Sequence, residues 1–364
     1  MKHPPFLFSQ PRAVAEIDTR ALSHNFREIS RICGKTVAVV KADAYGHGLS
    51  LAVPAFLRAG CDFFAVATAK EAQMVRKLAP FAHILLLGYA SASEISALAV
   101  AQITFTAFSL SYAQALSRAA GERGVTLPVH LKIDGGMCRL GFCTEDLDGI
   151  LRVLKLPHLN VCGIFTHFPC AENDPEGTKR SLSRFLALRR ALPVPLFSHA
   201  AASAAALTLP EARLDAVRAG IALYGYPPVQ AAQGLLPAMR LIAPVVQLHR
   251  AAAGTPVGYG GHFVCKRESV IGTVPLGYAD GLPRSLLGGH LTVLCKGRPF
   301  SAPIAGRVCM DYLMLDLTDL PVKEGETVCV LQDFAAAARH AGTIPYELLT
   351  AVSARVPRCE KGEV

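Results

Sequence analysis

The stretch TVAVVKADAYGHG, residues 36–48, places a lysine at the end of an apolar run. Its first residues are rich in β-branched side chains, which is typical of a short buried strand. Moving a charged amine out of water costs free energy unless a partner or a chemical role compensates for it. Lys41, followed by Tyr45 and a Gly-His-Gly turn, therefore indicates a functional site at the edge of a core.

The composition is that of a folded protein with a small basic excess. Of 364 residues, 51% are hydrophobic and 18% are charged, which argues against a disordered chain. The 37 basic and 28 acidic residues give a net charge of +9. The basic residues are scattered, so we expect no nucleic-acid partner and favour a small anionic ligand.

The cysteines and the apolar runs bear on the compartment. The chain has eleven cysteines, an odd number, and no CxxC pair. We therefore expect reduced thiols that mostly fill the core, and no metal site. No apolar run is long enough to span a membrane, and the first residues do not resemble a signal peptide. We expect a cytoplasmic protein without a membrane partner.

Short apolar runs alternate with amphipathic helical segments through most of the chain. The predicted strands cover 36–41, 63–67, 84–88, 103–108, 129–134, 161–166, 194–199 and 212–218. Eight β/α units favour an α/β fold with a (β/α)8 TIM-like barrel, in which the chemistry lies at the strand ends. The residues at these ends are Lys41, Lys132, Asp134, His167, His199 and Arg218.

After about residue 235 the pattern becomes β-rich, with Gly, Pro and Asp turns between the strands. Helical patterns return at 334–342 and 346–353. We predict a barrel domain over 12–232. A mostly β C-terminal domain is predicted over 233–364, together with the N-terminal segment 1–11.

Several segments resemble one family. VVKADAYGHG resembles the cofactor-attachment signature of alanine racemases, which are pyridoxal-phosphate enzymes of fold type III. The resemblance recurs in order in VHLKIDGGMCRLGF (129–142), GIFTHF (163–168), SHAAASAA (198–205), AVRAGIALYG (216–225), TPVGYGGHF (255–263), GRVCMD (306–311) and SARVPR (353–358). It implies a barrel followed by a β domain, which agrees with the strand pattern.

The resemblance implies a set of residues for pyridoxal 5'-phosphate. They are Lys41 for the Schiff base, His167 for the face of the pyridine ring, and Tyr45, Ser203 and the amides of Gly220 and Ile221 for the phosphate. Arg218 would face the pyridine nitrogen. Arginine only donates hydrogen bonds, so the ring would stay unprotonated and would be a weaker electron sink.

The resemblance also implies two opposed bases, Lys41 and Tyr259 of the partner subunit, in an obligate homodimer with shared active sites. A free tyrosine is a poor base at neutral pH. The family couples it to a histidine and an arginine, matched here by His199 and Arg284. Four further residues complete the implied site: Arg139 and Met310 for the substrate, and Lys132 and Asp311 in support.

Lys132 matches a lysine that is often carbamylated and that then orients Arg139. An ordinary ion pair with Asp134 is the alternative. The chain departs from the family pattern at three positions: Gly135 replaces a threonine, Ala202 an asparagine, and Ala354 a tyrosine that contacts the phosphate in some members. Ala202 puts one phosphate or loop contact in question. Together with Ala354 it points to a phosphate site built from fewer side chains, or to a wider pocket.

The expected activity is the interconversion of L-alanine and D-alanine, which supplies D-alanine for peptidoglycan. A broader racemase that also accepts serine is an alternative, because a small pocket rejects one extra hydroxyl only weakly. A fold type III decarboxylase or a non-catalytic pyridoxal-phosphate carrier would share the barrel. Arg218 argues against the first, and the β domain with Tyr259 argues against the second.

Overall fold

The computed structural model describes residues 12–229, 233–295 and 298–362. The chain forms two compact units. The barrel unit comprises Arg20–Ala44 and Ala52–Leu236, and the β-rich unit comprises the residues up to Thr19, Tyr45–Leu51 and those from Pro237 onwards. The segment 1–11 lies outside the described residues. The domain boundary at 232/233 stays a prediction.

The predicted α/β barrel is confirmed. Strand β1 (Val14–Ile17) belongs to the β-rich unit, and the next eight strands form one parallel sheet. They are β2 (Thr36–Val39), β3 (Phe63–Val66), β4 (His83–Leu86), β5 (Phe105–Ala107), β6 (Leu127–Lys132), β7 (Leu159–Phe165), β8 (Phe197–Ala202) and β9 (Ala216–Ala219). Their order is β4-β3-β2-β9-β8-β7-β6-β5.

The two outer strands of this order almost meet. A parallel bridge pairs Leu85 with Thr104, and the Thr104 amide donates to the carbonyl of Ile84 at 2.9 Å. The sheet is therefore a nearly closed barrel. Helices follow the strands as α1 (Thr19–Cys33), α2 (Leu49–Arg58), α3 (Ala69–Leu78), α4 (Ala92–Val100), α5 (Leu110–Gly121), α6 (Leu147–Leu154), α7 (Pro175–Ala191) and α8 (Ser203–Thr208).

Helix α1 shows why these segments fold as helices. Leu22, Phe26, Ile29 and Cys33 recur at helical spacing, and all four are buried. One face of the helix is therefore apolar and packs into the core, as its spacing predicts. The remaining faces carry polar side chains such as Arg27 and Arg31, which are exposed.

The β-rich unit contains two sheets and a hairpin. A six-stranded sheet has the order β16-β15-β18-β10-β1-β19, a three-stranded sheet has the order β11-β14-β17, and β12 pairs with β13. The added strands are β10 (Met239–Pro244), β11 (Gln247–Ala251), β12 (Pro256–Val257), β13 (Phe263–Val264), β14 (Ser269–Val274), β15 (His290–Cys295), β16 (Arg298–Pro303), β17 (Leu313–Asp316), β18 (Thr327–Leu331) and β19 (Arg358–Glu360).

Two helices complete this unit, α9 (Phe334–Ala341) and α10 (Pro345–Ala351). Short 3-10 turns lie at 210–212 and 221–224 in the barrel unit, and at 259–261, 278–280 and 284–286 in the β-rich unit.

Within the three described ranges, no helix is long and apolar enough to cross a membrane. The cysteines whose side chains are described are free thiols.

Candidate active site

The lysine of the opening stretch lies just after β2, at the start of an unusual turn. Residues Ala42, Asp43, Ala44 and Tyr45 all have φ between +51° and +55°. For L-residues this left-handed conformation costs roughly 1–2 kcal/mol per residue. Strain of this kind persists only where surrounding structure holds it, and it is common at functional sites. The turn thus sets Lys41 in a fixed place.

The amine of Lys41 is half-buried among charged groups of the barrel unit. Burial lowers its pKa, the nearby Arg139 guanidinium lowers the pKa further, and the Glu71 carboxylate opposes both. A lowered pKa raises the fraction of neutral amine at neutral pH. Neutral amine is the form that attacks a carbonyl carbon, so the environment suits a nucleophilic lysine.

Arg218 of β9 lies at the centre of the barrel unit and is only 3% exposed. Its terminal nitrogens donate to three carbonyls, those of Thr166 at 2.7 Å, His199 at 3.0 Å and Ala200 at 3.0 Å. Burial lowers the pKa of the guanidinium to about 9, which leaves it charged at neutral pH. Arg218 is therefore a fixed cation held by carbonyl dipoles of β7 and β8.

A buried pair of histidines extends from this cation. Nδ1 of His199 lies 2.7 Å from Nη1 of Arg218, and Nε2 of the same ring lies 2.9 Å from Nδ1 of His130. Arginine can only donate, so His199 must accept at Nδ1 and carry its proton on Nε2. Burial, then Arg218, lower the pKa of both rings, that of His130 to about 4. Both rings are therefore neutral at pH 7.

This arrangement bears on the coupling of His199 to Tyr259, which stays a prediction. His199 is fully buried, and both of its ring nitrogens are engaged by Arg218 and His130 inside the barrel unit. Neither nitrogen is left for the predicted coupling to Tyr259. His167 is half-buried, and its Nδ1 lies 3.4 Å from Nη2 of Arg218.

His167 and Lys132 share the positive field of the barrel interior. Burial, followed by Arg218 and Lys132, lowers the pKa of His167 to about 3. Burial and then Arg218 lower the pKa of Lys132 to about 7, against an opposing effect of Asp134. The amine of Lys132 donates to the carbonyl of Ile133 at 2.8 Å and lies 5.2 Å from the ring centre of Phe165. Lys132 is thus partly neutral near pH 7.

Arg139 lies on the loop that follows β6. Oδ1 of Asp134 accepts from the amides of Gly136 at 3.0 Å and Met137 at 2.8 Å, so its carboxylate folds the loop and forms no ion pair with Lys132 among the described contacts. The loop closes where the Asp134 amide donates to Phe142 at 2.9 Å. Arg139 is exposed on this loop, where its guanidinium is available for a ligand.

The predicted phosphate residues of the barrel unit lie together. Oγ of Ser203 accepts from the amide of Gly220 at 3.1 Å and from that of Ala222 at 3.4 Å. The 3-10 turn that begins at Ile221 follows directly. Ser203 therefore holds the amide-rich turn after β9 in place, and Ala202 before it offers no side-chain hydrogen bond to the helix.

The β-rich unit carries the other predicted residues. Tyr45 is buried, which raises the pKa of its phenol, and its ring centre lies 6.2 Å from that of Tyr346. Tyr259 begins the 3-10 turn at 259–261 and is 72% exposed. An aromatic ring this exposed on a glycine-rich turn is accessible to a binding partner.

Met310 and Asp311 lie on a turn beside Tyr278. The amides of Tyr278 and Ala279 donate to the carbonyls of Cys309 and Met310, at 2.9 Å and 3.0 Å. Arg355 contacts the carboxylate of Asp311 at 2.7 Å and lowers its pKa. Arg284 is exposed and close enough to Cys309 to lower the pKa of that thiol, although burial raises it more.

The predicted residues therefore fall into two sets. The barrel unit brings together Lys41, Lys132, Arg139, His167, His199, Ser203, Arg218, Gly220 and Ile221. The β-rich unit carries Tyr45, Tyr259, Arg284, Met310 and Asp311. Two residues were missed. His130 shares the inward face of β6 with Lys132, which period-2 alternation indicates, and Glu71 belongs to a Thr-x-x-Glu capping signature.

Comparisons with known proteins find one family along the chain. Residues 17–228 match the family model for the alanine racemase N-terminal domain, and residues 238–360 match that for the C-terminal domain. Alanine racemase 1 of Clostridium acetobutylicum is 38% identical, over 96% of each chain. Alanine racemase of Desulforamulus reducens is 40% identical, over 94% of this chain and 97% of its own.

Solved structures give the same result. The biosynthetic alanine racemase of Pseudomonas aeruginosa superposes with a TM-score of 0.87 at 38% identity, over 97% of this chain and 100% of that one. An alanine racemase of Bartonella henselae with covalently bound pyridoxal phosphate gives 0.85 at 30% identity, over 96% and 99%. With both domain models matched along nearly its whole length, the chain belongs to the alanine racemase family.

Proposed function

We propose that this protein interconverts L-alanine and D-alanine with pyridoxal 5'-phosphate. The single observation that carries the proposal is the placement of Lys41 on a rigid strand-end turn in the unit that also holds the buried cation Arg218. A reactive amine and a fixed hydrogen-bond donor in the same unit are what a pyridoxal-phosphate enzyme requires.

The residues present fit the cofactor. Lys41 has a lowered pKa, which suits attachment to an aldehyde. Ser203 and the amides after β9 form a turn that can bind a phosphate. Tyr45 is the further phosphate residue that the resemblance implies. Arg218 is a permanent donor and is suited to an unprotonated pyridine nitrogen. When bound, the cofactor supplies the electron sink that makes the α-proton of alanine acidic.

Two groups move the proton in this proposal. Lys41 takes or returns it on one face of the substrate, and Tyr259 of the partner subunit does so on the other. The high exposure of Tyr259 in a single chain favours a site completed in a homodimer. The coupling of this tyrosine to His199 stays a prediction, and Arg284 would supply further positive potential.

Arg139 would bind the substrate carboxylate with a two-pronged hydrogen bond. Met310 is the other residue proposed to bind the substrate, and Asp311 is proposed to support it. Lys132 has a pKa of about 7, and only a neutral amine reacts with CO2. Carbamylation would replace a cation by an anion beside Arg139 and would hold that guanidinium in place. A plain Lys132–Asp134 ion pair is the weaker alternative.

The proposed role is cytoplasmic supply of D-alanine for peptidoglycan. Alanine is favoured over serine by family membership alone, and a broader racemase stays the second candidate. The deciding experiment follows the loss of optical rotation of L-alanine, and separately of L-serine, with wild type, Lys41→Ala and Tyr259→Phe. Racemisation by Lys41→Ala at the wild-type rate would overturn the proposal.

A further inference from the structure

One carboxylate in the barrel unit joins the ends of two neighbouring strands. Oε2 of Glu71 accepts from the amides of Ala67 at 2.9 Å and Thr68 at 3.1 Å, just after β3. Oε1 of the same side chain accepts from the amide of Ala42 at 2.8 Å, just after β2. Glu71 thus satisfies three backbone donors from two strand ends at once.

Helix capping explains only part of this. Glu71 is the third residue of α3, and its bond to Thr68 is half of a capping box, with Oγ of Thr68 accepting from the Glu71 amide at 3.3 Å. A capping box needs no contact beyond the cap residue. The bond to Ala42 reaches a residue 29 positions earlier in the chain and serves another purpose.

The next β/α unit offers a direct comparison. Glu94 holds the same position in α4 and forms the same capping box with Ser91. Its carboxylate accepts from the Ser91 amide at 2.8 Å and from the Ser91 hydroxyl at 2.7 Å. Both bonds stay within the cap. The chain therefore contains one glutamate that only caps a helix and one that also holds a strand-end turn.

Ala42 is where that turn begins. It directly follows Lys41 and is the first of four residues with positive φ. Within the turn, the Ala44 amide donates back to the carbonyl of Val40 at 2.9 Å. The amide of Ala42 belongs to the peptide unit that links Lys41 to Ala42. A hydrogen bond to this amide fixes the orientation of that peptide plane, and with it the direction in which the Lys41 side chain leaves the backbone.

We propose that Glu71 is a positioning residue, which holds the left-handed turn and so aims the amine of Lys41 at its substrate. This inference rests on the proposed role of Lys41. Glu71 also contributes charge: its carboxylate favours the protonated amine, whereas Arg139 and burial disfavour it. The ring of His167 is a further ionisable group that feels the charge of Lys41.

The test compares Glu71→Gln with Glu94→Gln in the cofactor-loaded protein. A glutamine amide has one acceptor oxygen, so it cannot serve both strand ends, and its NH2 group would face an N–H donor. We expect Glu71→Gln to speed amide hydrogen exchange of a peptide covering residues 40–45 by about tenfold or more. We expect kcat to fall by about tenfold, with little change in KM. Glu94→Gln should change neither.

A third variant separates the effect of the carboxylate charge from that of the side-chain length. Glu71→Asp keeps the charge, but is one methylene shorter and should lose the bond to Ala42, so it should also speed exchange of residues 40–45. Equal exchange in wild type, Glu71→Gln and Glu71→Asp would overturn the inference, and so would equal losses of kcat in the two glutamine variants. If the wild-type protein does not racemise alanine, the proposed function fails. The amide hydrogen exchange of residues 40–45 then still decides whether Glu71 holds the turn.

Discussion

Gly163 of β7 makes room for the ring of His130 on β6. The two residues face each other across the parallel pair, next to a shift in register. A Cβ atom built on Gly163 would lie 2.4 Å from Nε2 of that ring and 2.5 Å from Cδ2. The ring in turn receives the proton of His199, so a missing side chain on one strand allows the histidine pair to form on its neighbours.

Gly163→Ala should therefore destabilise the protein by about 1–3 kcal/mol, because the ring must move away from His199. Urea unfolding followed by circular dichroism measures this. In a His130→Ala background the clash is gone, so the same glycine substitution should cost clearly less. Additive effects of the two substitutions would contradict the proposed contact.

The histidine pair also predicts how stability depends on pH. The pKa of His130 falls from 6.5 to about 4 in the folded protein, so between these pH values the unfolded chain binds a proton that the folded protein does not. Stability should therefore be lost as pH falls from 6.5 towards 4. His130 alone should contribute about 3 kcal/mol to this loss, and His199 adds to it in the same direction.

The measurement is the free energy of unfolding in urea at several pH values between 7 and 4.5. His130→Gln keeps an acceptor for His199 but does not titrate, so its curve should be flatter than that of wild type. His249→Gln, at an exposed position of β11, is the matched control and should keep the wild-type slope. A His130→Gln curve parallel to wild type would argue against a buried neutral ring.

Gly135 is predicted to be intolerant of a side chain. A Cβ atom there would lie 2.4 Å from the carbonyl oxygen of His167 and 2.9 Å from Oγ1 of Thr166. Gly135→Ala should shift His167 and lower kcat by about tenfold or more. Stopped-time racemisation assays measure this. Gly124→Ala is the control at a glycine far from the site in the chain. A Cβ atom there meets nothing within 4 Å, but its φ of +61° makes alanine strained, so this variant should lose some stability and keep the wild-type kcat.

A shared active site predicts that two inactive variants restore each other. Lys41→Ala and Tyr259→Phe should each abolish activity alone. Mixed and refolded together in equal amounts, they should recover about a quarter of wild-type activity, because half of the dimers would contain one intact site of two. Activity after mixing is the readout. No recovery, with dimers confirmed by light scattering, would place both bases in one chain.

The barrel could be predicted from sequence because its signal is repeated. Each strand is a short apolar run between amphipathic helices. An error in the predicted bounds of one strand therefore does not change the number of β/α units. Lys41, Lys132, His167 and Arg218 could be found because each lies at or near a strand end, where parallel strands bring distant residues together. The motif resemblance then supplied their roles.

Contacts that depend on the third dimension were not predictable. Sequence order does not show which ring nitrogens of His199 are already engaged, and it does not show that His130 lies beside that ring. Gly135 differs from the threonine of the family pattern, and only the structure shows that its backbone lies against His167. In each case the deciding quantity is a distance of a few ångströms between separate β/α units.

The left-handed turn after Lys41 has a stereochemical consequence. For one turn, residues 42–45 trace the mirror image of an ordinary helix, which is the backbone region that D-amino acids adopt without strain. Two of these residues, Ala42 and Ala44, are alanines. The enantiomer that alanine racemases produce from L-alanine would thus fit these two positions of the chain better than the L-alanine from which the ribosome builds them.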